Sequence, residues 1–186
     1  MRLDPGDDDE QSADAAPVFN GAKPVWIDAP QNEHPTVVAG IVHQLVKAAD
    51  HPINPGILAI IIREHSQFET YKSALQLKGV KAAFVNRDRS IEIDGDAVHV
   101  VTAHSSKGLG FPYVIVPEVT DSHYPPRRSL RAVADSDQRE DMLTIEQRLL
   151  YVALSRAAHR LYMISDAAAP SPFLAKLQRE AHWASS

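Results

Sequence analysis

Residues Ile57 to Ile62 read Ile-Leu-Ala-Ile-Ile-Ile, an unbroken apolar run that stops at Arg63. A stretch this short with no polar face is buried on both sides, the condition of a strand inside a parallel sheet. Val98–Val101, Tyr113–Val116 and Arg160–Ser165 repeat the pattern, and Val25–Asp28 and Lys81–Val85 are shorter candidates. Parallel strands need crossover connections, usually helical. Thr36 to Ala49 supplies one, with a stripe at Val37, Val38, Ile41, Val42, Leu45 and Val46 and Thr36 as N-cap. Ser66 to Leu77 supplies another, with Ser66 as N-cap, Glu69 completing a capping box and Gly79 as the stop. Thr144–Arg156 carries Leu149, Leu150, Val152, Ala153 and Leu154, and Pro172–Arg179 closes the chain with proline in its first turn. His51–Gly56 is turn chemistry, Ile91–Asp96 reads as a small hairpin leading into Val98, and Thr120–Asp141 reads as a mobile polar loop. Together these predict an α/β domain with a mostly parallel sheet covered by helices on both faces.

The chain has 186 residues, 44% of them apolar, which suits one domain with its own core. It has no cysteine, excluding disulfides and thiolate metal sites. No apolar run approaches the roughly 20 residues of a membrane helix, and the N-terminus lacks a signal pattern. A cytoplasmic protein with no membrane partner is therefore expected. Residues 1–16 hold six of the 24 acidic residues and one of the 19 lysines and arginines, leaving 18 of each sign in the remainder. The head is expected to be an acidic disordered tail, followed by a domain over 17–180 and a frayed end over 181–186. A neutral body does not advertise nucleic-acid binding, so any such surface depends on local clustering.

Two segments place polar groups at the edges of apolar elements, where an α/β domain presents them to ligands. One is Val98-His99-Val100-Val101-Thr102-Ala103-His104-Ser105-Ser106-Lys107-Gly108-Leu109-Gly110-Phe111; the other is Glu146-Gln147-Arg148-Leu149-Leu150-Tyr151-Val152-Ala153-Leu154-Ser155-Arg156-Ala157. Hydroxyl, imidazole and backbone donors around Thr102, His104 and Ser105 suit phosphate oxygens. Each has a plainer reading: a strand-end hydroxyl satisfied by backbone, an ordinary loop histidine, a solvated Lys107. Arg156 ends its helix and is suited either to capping the last turn or to stabilising charge on a transferring phosphoryl group. The phosphate cradle G-x-x-x-x-G-K-[ST] is absent, and no Gly-Lys pair occurs anywhere. Val114-Ile115-Val116-Pro117-Glu118 is an apolar strand with a terminal acid, but it has no cradle to serve. The chain alone is not expected to bind and split ATP.

The two segments resemble motifs V and VI of the UvrD/Rep/PcrA-like superfamily 1 DNA helicases. Motif V there reads like T-x-H-x-x-K-G-L-E-[FW], matched by Thr102, His104, Lys107, Gly108, Leu109 and Phe111. Motif VI reads like E-x-R-L-x-Y-V-x-x-[TS]-R-A, matched by Glu146, Arg148, Leu149, Tyr151, Val152, Ser155, Arg156 and Ala157. Ile57–Leu75, with Arg63 and Gln67, resembles motif IVa, and His123-Tyr124-Pro125 the aromatic-proline element after motif V. The likeness extends over 18–178 and is tightest over 98–118 and 144–164. It implies the second RecA-like domain, 2A, without a Walker A loop of its own. Arg156 is then the catalytic arginine that contacts ATP, Lys107 and Gly108 join it in the ATP site as part of the loop coupling the nucleotide cleft to DNA, and Thr102, His104 and Ser105 contact single-stranded DNA. ATP and Mg2+ would be held mainly by an N-terminal domain 1A. Three departures stand out: Gly110 replaces a glutamate that lies near the ribose in relatives; the 2B insertion is absent or reduced to a hairpin within 85–97; and motif IV is not found, which points to a fragment or a truncated product. Two other classes stay open: a non-catalytic nucleic-acid or protein binding module derived from a helicase, and an unrelated α/β enzyme using His104 and Lys107. Arg127, Arg128 and Arg131 could touch phosphates but sit among acids, as in a solvated loop. Trp26 and Trp183 could stack bases, although Trp26 suits a core.

Overall fold

A computed structural model describes residues 22–85, 95–131 and 135–175. The assignments for 1–16 and 181–186, Trp183, and most of the hairpin over 91–96 lie outside those residues. The strands are β1 (Val25–Asp28), β2 (Leu58–Ile62), β3 (Ala82–Val85), β4 (Val98–Thr102), β5 (Phe111–Val116) and β6 (Ala157–Ser165). They form one sheet in the order β1-β6-β5-β2-β4-β3, every pair parallel.

The two-residue period of β2 explains the layers. Leu58, Ile60 and Ile62 enter one apolar cluster and Ala59 and Ile61 the other, all at 0% exposure. The first cluster is covered by Val38, Ala39 and Val42 of α1 (His34–His43) and Tyr71 and Leu75 of α2 (Phe68–Leu77). The second is covered by Leu150, Ala153 and Leu154 of α4 (Ser136–Leu154). Each fully buried aliphatic side chain contributes about 1.5–3 kcal/mol, so a central strand with no solvent face contributes to both halves of the core.

Helix starts differ from the sequence reading, each for a local reason. The helix expected from Thr36 begins at His34, because Pro35 fits the first turn and His34 is anchored. Its Nε2–H donates to the Ala29 carbonyl at 3.0 Å, and its Nδ1 accepts from the Glu118 backbone N–H at 3.1 Å. Thr36 is exposed within the helix rather than capping it, and Gln44–Ala48 continues as a π-helical turn. The capping box before α2 is formed by Glu64 and Gln67, not Ser66 and Glu69, and Glu69 pairs with Lys72 instead. Gly79 does stop that helix, at φ +68°. The segment expected to be a loop up to Asp141 instead holds α3 (Arg127–Arg131) and the first turns of α4. α4 opens at Ser136 because the Asp135 carboxylate accepts from Asp137 and Gln138 N–H at 2.8 and 3.0 Å. Leu174 and Ala175 open the last expected helix; its remainder is outside the described residues. Among the described residues no helix is long and apolar enough to cross a membrane.

Candidate nucleotide and nucleic-acid site

All strands are parallel, so their C-terminal ends share one edge, the edge where doubly wound sheets take ligands. Thr102 ends β4 at that edge. Its Oγ1 accepts from the Ser105 N–H at 3.2 Å and donates to Ser105 Oγ at 3.0 Å, folding the chain into a tight turn. The Thr102 hydroxyl is thus satisfied locally, as the plainer reading held. Ser105 is half-buried, while His104 and Lys107 are exposed. Ser106 is buried, and its hydroxyl donates to the Ala103 carbonyl at 2.8 Å. Gly108 sits at φ +86°, a conformation that favours glycine.

This turn begins an unusual crossover. Residues 103–110 carry the chain from the carboxyl end of β4 past β2 to the amino end of β5, without a helix. Arg156 lies at that opposite, amino edge, directly before β6. Its Nε donates to the Val152 carbonyl at 2.9 Å, Nη1 to the Leu109 carbonyl at 3.1 Å and Nη2 to Ser155 Oγ at 3.0 Å. The Phe111 N–H donates back to the Arg156 carbonyl at 3.0 Å. The capping role is therefore present, through Val152. A guanidinium has five N–H donors; three are used here, leaving one on each Nη nitrogen. The structure brings Thr102, His104 and Ser105 together on the carboxyl edge. Arg156 is at the amino edge, and Lys107 and Gly108 connect to it only through Leu109.

Sequence reasoning missed two polar centres. Outgoing connections diverge between β2 and β5: α2 leaves toward β3 on one face and α4 toward β6 on the other. Such a switch point is where doubly wound sheets take ligands, and here it holds the buried carboxylate of Glu118. Its carboxylate accepts from Tyr71 Oη at 2.8 Å and from Gln67 Nε2, and lies 2.8 Å from His123 Nε2. Its backbone takes φ +55°. Burial pushes the Glu118 pKa up, but hydrogen bonding and charge from His123, the Tyr71 bond and His34 outweigh this and leave it below the usual carboxylate range. Burial, reinforced by Glu118, pushes the Tyr71 hydroxyl well above its ordinary value. The second centre is an ion pair. Arg63 Nη2 meets Glu146 Oε1 at 2.6 Å and Nε meets Oε2 at 3.1 Å, with both side chains about a tenth exposed (10% and 9%). The partners are 83 residues apart, and no local pattern could have paired them. Two of the three arginines of the basic cluster are likewise engaged: Arg127 with Asp121 at 2.6 Å and Arg128 with Glu64 at 2.8 Å. Trp26 packs against the α4-side core and donates to Ser165 Oγ at 2.6 Å.

A six-stranded parallel sheet with helices on both faces is a RecA-like architecture. The family model described as UvrD-like helicase C-terminal domain matches residues 58–167, more than half of the chain, and the chain belongs to that family. An ATP-dependent helicase/nuclease from Lactobacillus acidophilus is 30% identical over 119 residues, covering 46% of this chain and 10% of that protein. ATP-dependent DNA helicase PcrA of Staphylococcus aureus is 35% identical over 68 residues, covering 37% of this chain and 9% of the relative. The matched stretches thus span about a tenth of these relatives' length. The crystal structure of the C-terminal domain of a possible DNA helicase from Lactobacillus plantarum superposes with a TM-score of 0.55 at 23% identity. That alignment covers 83% of this chain and 80% of the other, and it agrees in fold.

Proposed function

We propose that this chain, over residues 17–180, is the C-terminal motor domain of an ATP-dependent DNA helicase or translocase. Arg156 completes an ATP site whose phosphate cradle and Mg2+ ligands lie in an N-terminal domain 1A. Thr102, His104 and Ser105 contact the backbone of single-stranded DNA. Lys107 and Gly108 belong to the loop between the two sites. The observation that carries this reading is the 103–110 crossover, which leaves the Thr102 turn and ends against the Arg156 guanidinium.

The residues fit the group they would meet. The two remaining Nη hydrogens of Arg156 give a cation two donors for phosphate oxygens, and its other three bonds hold it in place without rearrangement cost. ATP bound at such an interface supplies the transferable phosphoryl group and, through Mg2+, part of its charge neutralisation. From this chain, Arg156 offsets charge that develops on the phosphoryl oxygens, and the 103–110 segment carries any displacement of the guanidinium toward the DNA-facing turn. The isolated chain, without a cradle, should show little turnover.

The test is ATP hydrolysis with single-stranded DNA by this chain mixed with the matching N-terminal motor domain, wild type against Arg156→Ala. Stimulated turnover that falls about a thousandfold in the variant is expected. Unchanged turnover would make Arg156 a helix cap only. The helicase-derived binding module would then be the better reading, favoured by Gly110 in place of the glutamate of relatives.

A further inference from the structure

We propose that Arg63 and Glu146 are positioning residues, pinning α4 so that Arg156 is held against the crossover that begins at Thr102. What Arg156 does there rests on the function proposed above; its placement does not. β2 and β4 pair with Ile62 opposite Thr102, and the Ala103 N–H donates to the Ile62 carbonyl at 2.8 Å. The residue after Ile62 is Arg63, whose guanidinium grips Glu146 through two bonds of 3.1 and 2.6 Å. Glu146 stands ten residues before Arg156, a helical run of roughly 15 Å. Arg156 then bonds the Leu109 carbonyl, and the crossover returns to Thr102. The circuit is closed by two polar locks, one at each edge of the sheet.

Apart from these two locks, the contacts that hold α4 against the sheet are apolar. Leu150, Ala153 and Leu154, with Leu143 and Leu149, pack on the sheet, and such contacts are non-directional. Among the described residues, the Arg63–Glu146 bonds are the only side-chain hydrogen bonds from α4 to another part of the domain. A fork-on-carboxylate pair fixes orientation as well as distance. Tyr124, at 0% exposure, lies within electrostatic reach of both partners. A lysine at position 63 would keep the charge and lose the two-point grip.

The test is NMR of the Arg156 Nε–Hε group in this 186-residue chain, its hydrogen exchange referred to the Ile60 backbone N–H, which reports opening of the whole domain. Arg63→Lys should raise the Arg156 exchange rate about tenfold relative to Ile60, the factor carried by one charge-assisted hydrogen bond. The paired exchange Arg63→Glu with Glu146→Arg should restore the rate. If Arg63→Lys does not fold, the near-isosteric Glu146→Gln takes its place with the same expectation. An unchanged ratio in the folded single variant overturns the positioning role. In the mixed motor, the same variant should lower kcat for ATP with KM little changed. If the side-chain signal responds while neither this variant nor Arg156→Ala alters turnover, the positioning stands and the role assigned to Arg156 falls.

Discussion

Replacing Glu118 by alanine and by glycine separates the two things this residue does. Either change removes the acceptor of the fully buried Tyr71 hydroxyl, which sits 2.8 Å from Glu118 Oε1. An orphaned buried hydroxyl costs about 1–3 kcal/mol. Only glycine also relieves the backbone at φ +55°, a conformation that costs an L-residue about 1–2 kcal/mol. Glu118→Ala should therefore destabilise the domain by about 1–3 kcal/mol, and Glu118→Gly by about 1 kcal/mol less, the relieved backbone being partly offset by glycine's greater unfolded-state entropy. Urea unfolding at neutral pH measures both, with the slope checked so that the difference is one of stability. In a Tyr71→Phe background no hydroxyl remains to be orphaned, so the cost of either substitution should shrink. Equal stabilities for the alanine and glycine variants would refute the backbone argument. An unchanged cost in the Tyr71→Phe background would refute the hydrogen-bond argument.

Glu118 also sets an acid dependence. Its folded pKa lies below the ordinary value, so its contribution is full above the unfolded carboxylate pKa of about 4.3 and is lost as pH falls through the lower folded value. Glu118→Ala should flatten that part of a stability profile between about pH 5 and pH 2, read by urea midpoints. At Gly110 an added Cβ meets nothing within 4 Å, and φ is not positive, so Gly110→Glu should leave stability within about 0.5 kcal/mol; a larger thermal shift would contradict the open geometry. Asp135→Ala should cost about 1 kcal/mol through the lost α4 cap, detectable as a lower urea midpoint. Arg156→Ala should cost about 1–3 kcal/mol in the same assay, through the Val152 and Leu109 carbonyls that lose their charged donor.

The layers of the fold were legible because they rest on local pattern. A run such as Ile57–Ile62 has no face for water, and every strand expected from such a run forms. What failed was punctuation. Ser66 and Glu69 have the right spacing for a capping box, and so do Glu64 and Gln67; the second pair is used because Gln67 also reaches Glu118, a contact made in three dimensions. The stretch before Asp141 looked like a loop because its charges hide the helical register, and Asp135 as N-cap was one acid among several. Within the candidate site, the Thr102–Ser105 turn and the helix-end arginine were visible as patterns of neighbours. Their opposite edges follow from one ending a strand and the other preceding one in a parallel sheet; that residues 103–110 span the two edges past β2 was not visible, because it depends on strand order. The Arg63–Glu146 and Glu118 centres join residues from distant segments, and nothing in either segment names its partner.

Glu118, with Gln67, Tyr71 and His123 around it, occupies the switch point where doubly wound domains take ligands. For inhibitor discovery this is an obstacle. A compound entering there would have to strip a buried carboxylate of its donors, Tyr71, Gln67 and His123. On the function proposed above, small molecules are better sought against this chain paired with an N-terminal domain, where Arg156 would form one wall of a shared cleft.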